Sequence, residues 1–260
     1  MPVRRVVAHE NVEADRGRVA LQRGPIVYTA EWPDNPGGKV RNIVLPDSAT
    51  LTSEFRPDLL NGVQVIKGRA SALSYDVRGS IAKTEQDFLA IPYATWANRG
   101  PGQMAVWLAR TDAVARPTPW PTIATTSKVT TSVPDNSPRG MNDGEEPASS
   151  NDHTSYFDWW PRKGTTEWAE YAFTKPASVS AVDVYWFQDA PHGQVRVPAS
   201  WRVLYKDRSE WKPVETRDDY GTGPDRYNSV SFAPVTTSGL RLEIVLQPGW
   251  SAGVEEWKVC

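Results

Sequence analysis

Cysteine is almost absent: Cys260, the last of 260 residues, stands alone. A disulfide framework and a cysteine-rich metal centre are therefore excluded. Histidine is nearly as scarce, and His9, His153 and His192 lie far apart in the chain, so no imidazole set has the compact spacing of a zinc site. No stretch approaches the roughly 18 consecutive apolar residues of a membrane-spanning helix. Met1-Pro2-Val3-Arg4-Arg5 carries charge with no apolar run behind it, so it does not read as a secretory signal; an export address would have to lie on sequence outside this chain. An excess of one charge is also missing, with 29 Lys and Arg against 31 Asp and Glu and a net charge of -2. That excludes the basic footprint of a nucleic-acid binder and the polybasic run that seeks anionic membranes. The nucleophile elbow Gly-x-Ser-x-Gly, the P-loop and the dinucleotide fingerprint are all lacking.

What is abundant is tryptophan, at 12 residues, and proline, at 22. Proline at such short intervals breaks long helices, and the segments between prolines read as strands. Val19 to Tyr28 reads as a strand interrupted at Gly24-Pro25, and Lys39 to Leu45 as another. Gly62-Val63-Gln64-Val65-Ile66-Lys67-Gly68 alternates as a half-buried antiparallel strand does. Phe88 to Tyr93 and Met104 to Leu108 bracket the loop Asn98-Arg99-Gly100-Pro101-Gly102. Strands at this spacing, with no helical period between them, predict an all-β sandwich.

Between Thr111 and Pro138 the composition shifts to Pro, Thr and Ser, as in a linker leading into a second unit. The expected division is 1–121 and 122–260. Strand patterns then resume at Glu167–Phe173, Val179–Phe187, Ser200–Lys206, Val230–Phe232 and Leu240–Leu246. They close with Val254 to Val259, where Trp257 and Val259 face inward. Loops between them are long and rich in Asp, Asn, Gly and Pro, which predicts a second, jelly-roll-like sandwich with function at its loops. The fold class expected is thus all-β, with two β-sandwiches in tandem.

Several segments of the first unit match a known pattern together: Met1 to Val6, Ala20 to Tyr28, Ala90-Ile91-Pro92-Tyr93 and Trp96 to Gly102. They resemble the β-sandwich behind the catalytic barrel of glycoside hydrolase family 127, the β-L-arabinofuranosidase-like family. In that family Met1 would be an internal position, so the resemblance implies an N-terminal catalytic barrel as a partner. It implies too that Arg23, Trp96 and Arg99 pack and pair against that barrel, leaving an exposed apolar face in its absence. The family's catalysis, by cysteines and a glutamate around zinc in the barrel, has no counterpart here, so the chain by itself is expected to be non-catalytic. Any two of 31 acidic residues could mimic a glycosidase pair, so their presence decides nothing.

The second unit is similar to discoidin (coagulation factor type C) modules, which include many galactose-type carbohydrate-binding modules. Met141-Asn142-Asp143-Gly144, Trp159-Trp160, Gly164 to Trp168, Val184-Tyr185-Trp186, Pro198 to Trp201 and Glu256 to Val259 carry the likeness. It implies a supporting first unit and a carbohydrate-binding second one, directed at arabinose- or galactose-containing glycans. A free-standing lectin-like or protein-interaction module is the alternative.

A sugar site needs an aromatic face for the C–H side of the ring and planar polar groups for its hydroxyls. Trp159, Trp160 and Trp250 are the candidate platforms, and Gln188, Asp189, His192 and Arg196, all in one loop, the candidate polar contacts. Trp159 and Trp160 read equally well as packing beneath loops, while Trp168, Trp186, Trp201 and Trp257, on strands, read as core. A structural calcium is the candidate cofactor, because it wants hard oxygens converging on a turn. Asp143 on a tight loop, the Glu145 carbonyl and the hydroxyl of Ser149 or Ser150 supply oxygens. The discoidin likeness adds Glu256 with the carbonyl of Glu255. The plain alternative is that Asp143 only caps an Asx-turn and Glu256 is solvated.

Overall fold

Alternating segments that each hide one face must pair with neighbours, and in the computed structural model they form two separate ladders. The structure describes all residues except Pro101, which falls in the loop Asn98–Gly102, and Asp135; the side chain of Arg139 is likewise outside the description. The chain divides into two compact units, Met1–Trp120 and Pro121–Cys260. Both are all-β sandwiches, and among the described residues the helical turns are short 3-10 segments. None is long and apolar enough to cross a membrane.

The first unit holds β1 (Val3–Val7), β2 (Arg18–Arg23), β3 (Ile26–Glu31), β4 (Ile43–Val44), β5 (Leu51–Arg56), β6 (Val63–Tyr75), β7 (Ile81–Pro92), β8 (Met104–Ala105) and β9 (Leu108–Ala109). Their order is β1-β2-β9-β4-β6-β7-β3-β8, with β5 on β6. β2 also pairs with β3, so the ladder returns on itself and leaves few open edges. Val19, Leu21, Tyr28, Ile43, Leu45, Ile66 and Phe88 fill the core. The segment Val19–Tyr28 is therefore not one interrupted strand but a hairpin: Gly24 takes φ 59 and turns the chain between Arg23 and Ile26.

The second unit holds β10 (Lys128–Thr131), β11 (Phe157–Asp158), β12 (Thr166–Phe187), β13 (Ser200–Asp207), β14 (Glu210–Pro213), β15 (Tyr227–Val245) and β16 (Gly253–Val259). The order is β11-β16-β12-β15-β13-β14, with β10 on β12. The two expected strands Glu167–Phe173 and Val179–Phe187 prove to be halves of β12, and Val230–Phe232 and Leu240–Leu246 belong together in β15, which ends one residue earlier at Val245. The register of this pair shifts between Ala172 and Ala177 and again between Val179 and Ala181. Bulges absorb Lys175-Pro176 and bend the pair without ending it, so sequence alternation breaks where the strand continues.

Trp186, Trp201 and Trp257 are core residues, as expected of strand positions. Trp168 is not. On β12 the buried positions are Glu167, Ala169 and Tyr171, so parity turns Trp168 outward. Its ring is covered there by the Arg241 guanidinium at 5.0 Å.

Candidate functional site

Strand endings decide what gathers at one end of the second unit. The segment after β11, the loop after β12 and the turn before β16 meet there. Arg196 N–H donates to Ser251 O at 2.9 Å and Ser251 N–H to Gln194 O at 3.0 Å. The ammonium of Lys163 donates to Gln194 Oε1. A Cβ on Gly164 would lie 3.6 Å from Pro248 Cα, so the Trp160–Lys163 tip packs against the turn that carries Trp250.

Trp160 is 43% exposed and Trp250 36% exposed, enough for each to present part of its ring. Lys163 Nζ sits 4.8 Å from the Trp160 ring centroid, and the Arg196 guanidinium 4.1 Å from that of Trp250. Asp189 Oδ1 accepts from Val195 N–H at 2.7 Å and from Arg196 at 3.2 Å. That carboxylate fills the space beside Gly193, where a Cβ would stand 1.7 Å from Asp189 Oδ2. The Gln188 N–H donates to Ser150 O, and its side-chain amide makes no hydrogen bond among the described residues. His192 is exposed and makes no hydrogen bond or ring contact among the described residues.

Trp159 is corrected from a candidate platform to a core residue. It is fully buried, edge-on to Phe157 at 4.9 Å, with Nε1 donating to Trp168 O at 3.3 Å. Arg162 N–H donates to Trp159 O at 2.8 Å, closing a turn with Trp160 and Pro161 at its tip, so of the pair only Trp160 reaches solvent.

Tyr156, which carried no motif, joins the same end. Its ring stacks on Phe187 at 3.8 Å with His153 edge-on to both. Burial raises its hydroxyl pKa, and the nearby Asp158, Asp189 and Glu255 raise it further. Burial also raises the Asp158 carboxyl, against the Trp160 N–H that supports its charge. The visible signals were the bases Arg162 and Lys163 just past Trp160-Pro161 and the aromatics within a loop rich in turn formers.

Behind Tyr156 lies an acidic cluster. Tyr171, buried and stacked on Trp257 at 3.8 Å, donates to Met141 O at 2.8 Å. This contact holds the 138–142 turn against β16 and places Asp143 beside Glu256. Gly144 N–H donates to Glu256 Oε2 at 3.1 Å. Asp143 does cap an Asx-turn, accepting from Glu145 N–H at 2.8 Å, and it also accepts from Ser155 at 2.5 Å. Glu256 is not solvated: it is 1% exposed, and Glu255 is 3% exposed. Desolvation lifts both carboxyls to about 9, Asp152 and Asp143 adding to it for Glu255 and Asp143 for Glu256. Glu255 Oε1 is buried without a hydrogen-bond partner. Ser149 Oγ accepts locally from Asn151 N–H, while buried Ser150 exchanges bonds with Asp225.

These residues fit a hard cation in one respect, an orphaned buried carboxylate oxygen beside a second buried carboxylate. Among the described residues no three His, Cys, Asp or Glu side chains form a ready metal cluster, so backbone carbonyls would supply the remaining oxygens. Asp152, whose turn-forming neighbours disguised it, is the acidic member missing from the sequence-based set.

A shallow groove of about 670 Å³ shares no residue with this end. In its lining Thr216 donates to Ser231 O and Ser231 N–H to Asp218, and it offers no exposed ring.

In the first unit Arg99 does not reach outward for a partner. It lies between Glu31, which it contacts through Nε at 3.1 Å, and Asp34, at 2.7 Å. The pairing fixes Arg99 from inside, and Ala97 N–H adds a bond to Glu31 at 2.9 Å. Tyr93 and Trp96, stacked at 6.0 Å, remain 45% and 39% exposed above it.

Parts of this chain are similar to three known proteins. The non-reducing end β-L-arabinofuranosidase of Bifidobacterium longum subsp. longum is 36% identical over 122 residues, covering 42% of this chain. This chain spans 18% of that relative's length. The solved β-L-arabinofuranosidase of Geobacillus stearothermophilus T6 is 44% identical, covers 42% of this chain and 18% of its own, and gives a TM-score of 0.39. The family 32 carbohydrate-binding module of C. perfringens NanJ, solved with galactose, is 11% identical, covers 53% of this chain and 96% of its own, and gives a TM-score of 0.41. Residues 3–109, nearly all of the first unit, match the glycoside hydrolase family 127 C-terminal domain.

Proposed function

We propose that this chain is a non-catalytic accessory region of a β-L-arabinofuranosidase-type glycoside hydrolase, and that its second, discoidin-like unit binds carbohydrate at the loop end. The first unit would support a catalytic barrel on other sequence, to which exposed Tyr93, Trp96, Val7 and Ile26 offer apolar contact. The observation that carries the binding reading is the convergence of two exposed tryptophans, Trp160 and Trp250, with Gln188, Asp189 and Arg196 on adjoining loops. Rings take the C–H face of a sugar and the amide takes its hydroxyls.

Calcium belongs to the same proposal as a structural ion. Asp143 and Glu256 would hold it, with the Glu255 and loop carbonyls supplying the remaining oxygens. Its charge would neutralise carboxylates that burial otherwise keeps protonated, pinning the 143–155 loop that leads into Tyr156.

Titration calorimetry of the chain against arabinose- and galactose-containing oligosaccharides, with and without calcium, tests both parts. Saturable binding lost in Trp160→Ala or Trp250→Ala supports the site. Folded protein that binds no glycan while calcium is present overturns it and leaves a structural or protein-docking fragment.

A further inference from the structure

We infer that the loop end of the second unit is built for an anionic sugar, a uronate residue within a glycan. The inference rests on the carbohydrate-binding reading and specifies its ligand class. Each exposed ring at this end has a cation over it, Lys163 over Trp160 and Arg196 over Trp250. The carboxylates there are already engaged by protein. Asp189 takes the Val195 N–H and Arg196, and half-buried Asp158 takes the Trp160 N–H at 3.1 Å with Asn136 at 3.4 Å.

The bases of the Trp160-Pro161-Arg162-Lys163-Gly164 tip are engaged differently. Arg162 is exposed and Lys163 half-exposed. Lys163 bonds the neutral Gln194, and among the described residues neither base pairs with a carboxylate. The charge left open at this end is therefore positive, although the whole chain carries -2.

The geometry suits one kind of ring. A pyranose stacked on a tryptophan lays its C–H face on the indole and directs its C5 substituent to the periphery. A carboxylate at C5 then meets the Lys163 ammonium as it swings off the Trp160 ring, with exposed Arg162 next to it in sequence, as a charge-assisted bond. A neutral hydroxymethyl at C5 would gain much less from that cation. The flexible stem of Lys163 lets the ammonium move from the ring to a ligand oxygen. The Gln188 amide and the Tyr156 hydroxyl, neither hydrogen-bonded among the described residues, remain for ring hydroxyls.

Calorimetry of the full chain with trigalacturonate and with neutral galactotriose, in low salt and in roughly 0.5 M NaCl, tests the inference. Trigalacturonate is expected to bind at least about tenfold more tightly in low salt, with the advantage shrinking as salt rises. In R162Q/K163Q the ratio of the two affinities should fall towards one, and Trp160→Ala should abolish trigalacturonate binding. Equal or tighter binding of the neutral trisaccharide, or a ratio unmoved in R162Q/K163Q, overturns the inference and leaves the carbohydrate-binding reading standing. Trigalacturonate affinity retained in Trp160→Ala also overturns it, since attraction without the ring is charge alone. Folded protein that binds neither glycan overturns both.

Discussion

The two units treat buried charge in opposite ways. In the first, Glu31 and Asp34, with side chains 2% and 9% exposed, flank Arg99, so the charges are balanced within the fold. In the second, Glu255 and Glu256 are just as buried, yet Asp143 and Asp152 crowd them, and Lys258, which favours the Glu256 charge, offsets this only in part. A balanced triad rigidifies a loop and asks for nothing else. An unbalanced acidic pair must hold protons or acquire a cation. The first arrangement suits a support and the second a site whose state depends on solution conditions.

The largest expected effects come from breaking the interior of either unit. Trp159→Ala should cost about 3–5 kcal/mol by opening a cavity, lowering the melting transition of the second unit in calorimetry. Trp160→Ala, one residue on, should leave that transition nearly in place while removing glycan binding. Equal losses of stability for both would dissolve the division between core and platform. In the first unit Arg99→Met leaves Glu31 and Asp34 buried without their cation and should cost about 3–5 kcal/mol. Thermal unfolding should show the loss confined to the first unit.

The acidic pair should show itself next, through pH. Folded Glu255 and Glu256 hold their protons up to about 9, against an ordinary value of 4.5. Between those values the folded state binds more protons than the unfolded one, so stability falls as pH rises. Metal-free protein should therefore melt several degrees lower at pH 9 than at about pH 5, and calcium should restore the difference by binding the folded state. Glu256→Gln keeps an acceptor for the Gly144 N–H but cannot ionise, so its melting temperature should depend less on pH and respond less to calcium. A flat profile in the wild type would remove the contrast between the units. The smallest effect is at the surface. Arg69→Ala, which deletes an exposed pair with Asp87, should change stability by less than about 1 kcal/mol.

Much of this was legible residue by residue. Alternation at Gly62–Gly68 and Val254–Val259 announced strands because sheet faces impose a period of two on any half-buried segment. Where alternation failed, as at Lys175-Pro176, the ladder continued through a bulge, and a bulge is recognisable only from the partner strand it slips against. Trp186, Trp201 and Trp257 were readable as core, but Trp168 was not, because β12 places its buried face on the odd positions near Glu167 and only packing selects between the faces. The loop Gln188–Arg196 announced polar chemistry, yet its own Arg196–Asp189 pair consumes part of it. Lys163 and Tyr156 join the site only because β11 and β16 bring distant loops together.

The sequence by itself thus determined the all-β class and the likeness of the first unit to a glycoside hydrolase C-terminal domain. Composition, period and local motifs are properties of neighbouring residues and survive without the fold. Tertiary structure alone decided that Trp159 is buried and Trp160 is not, that Arg99 is neutralised inside its own unit, and that Asp143 and Asp152 crowd Glu255 and Glu256. Each of these depends on burial and on distances between residues far apart in the chain, quantities that exist only after the strands have paired.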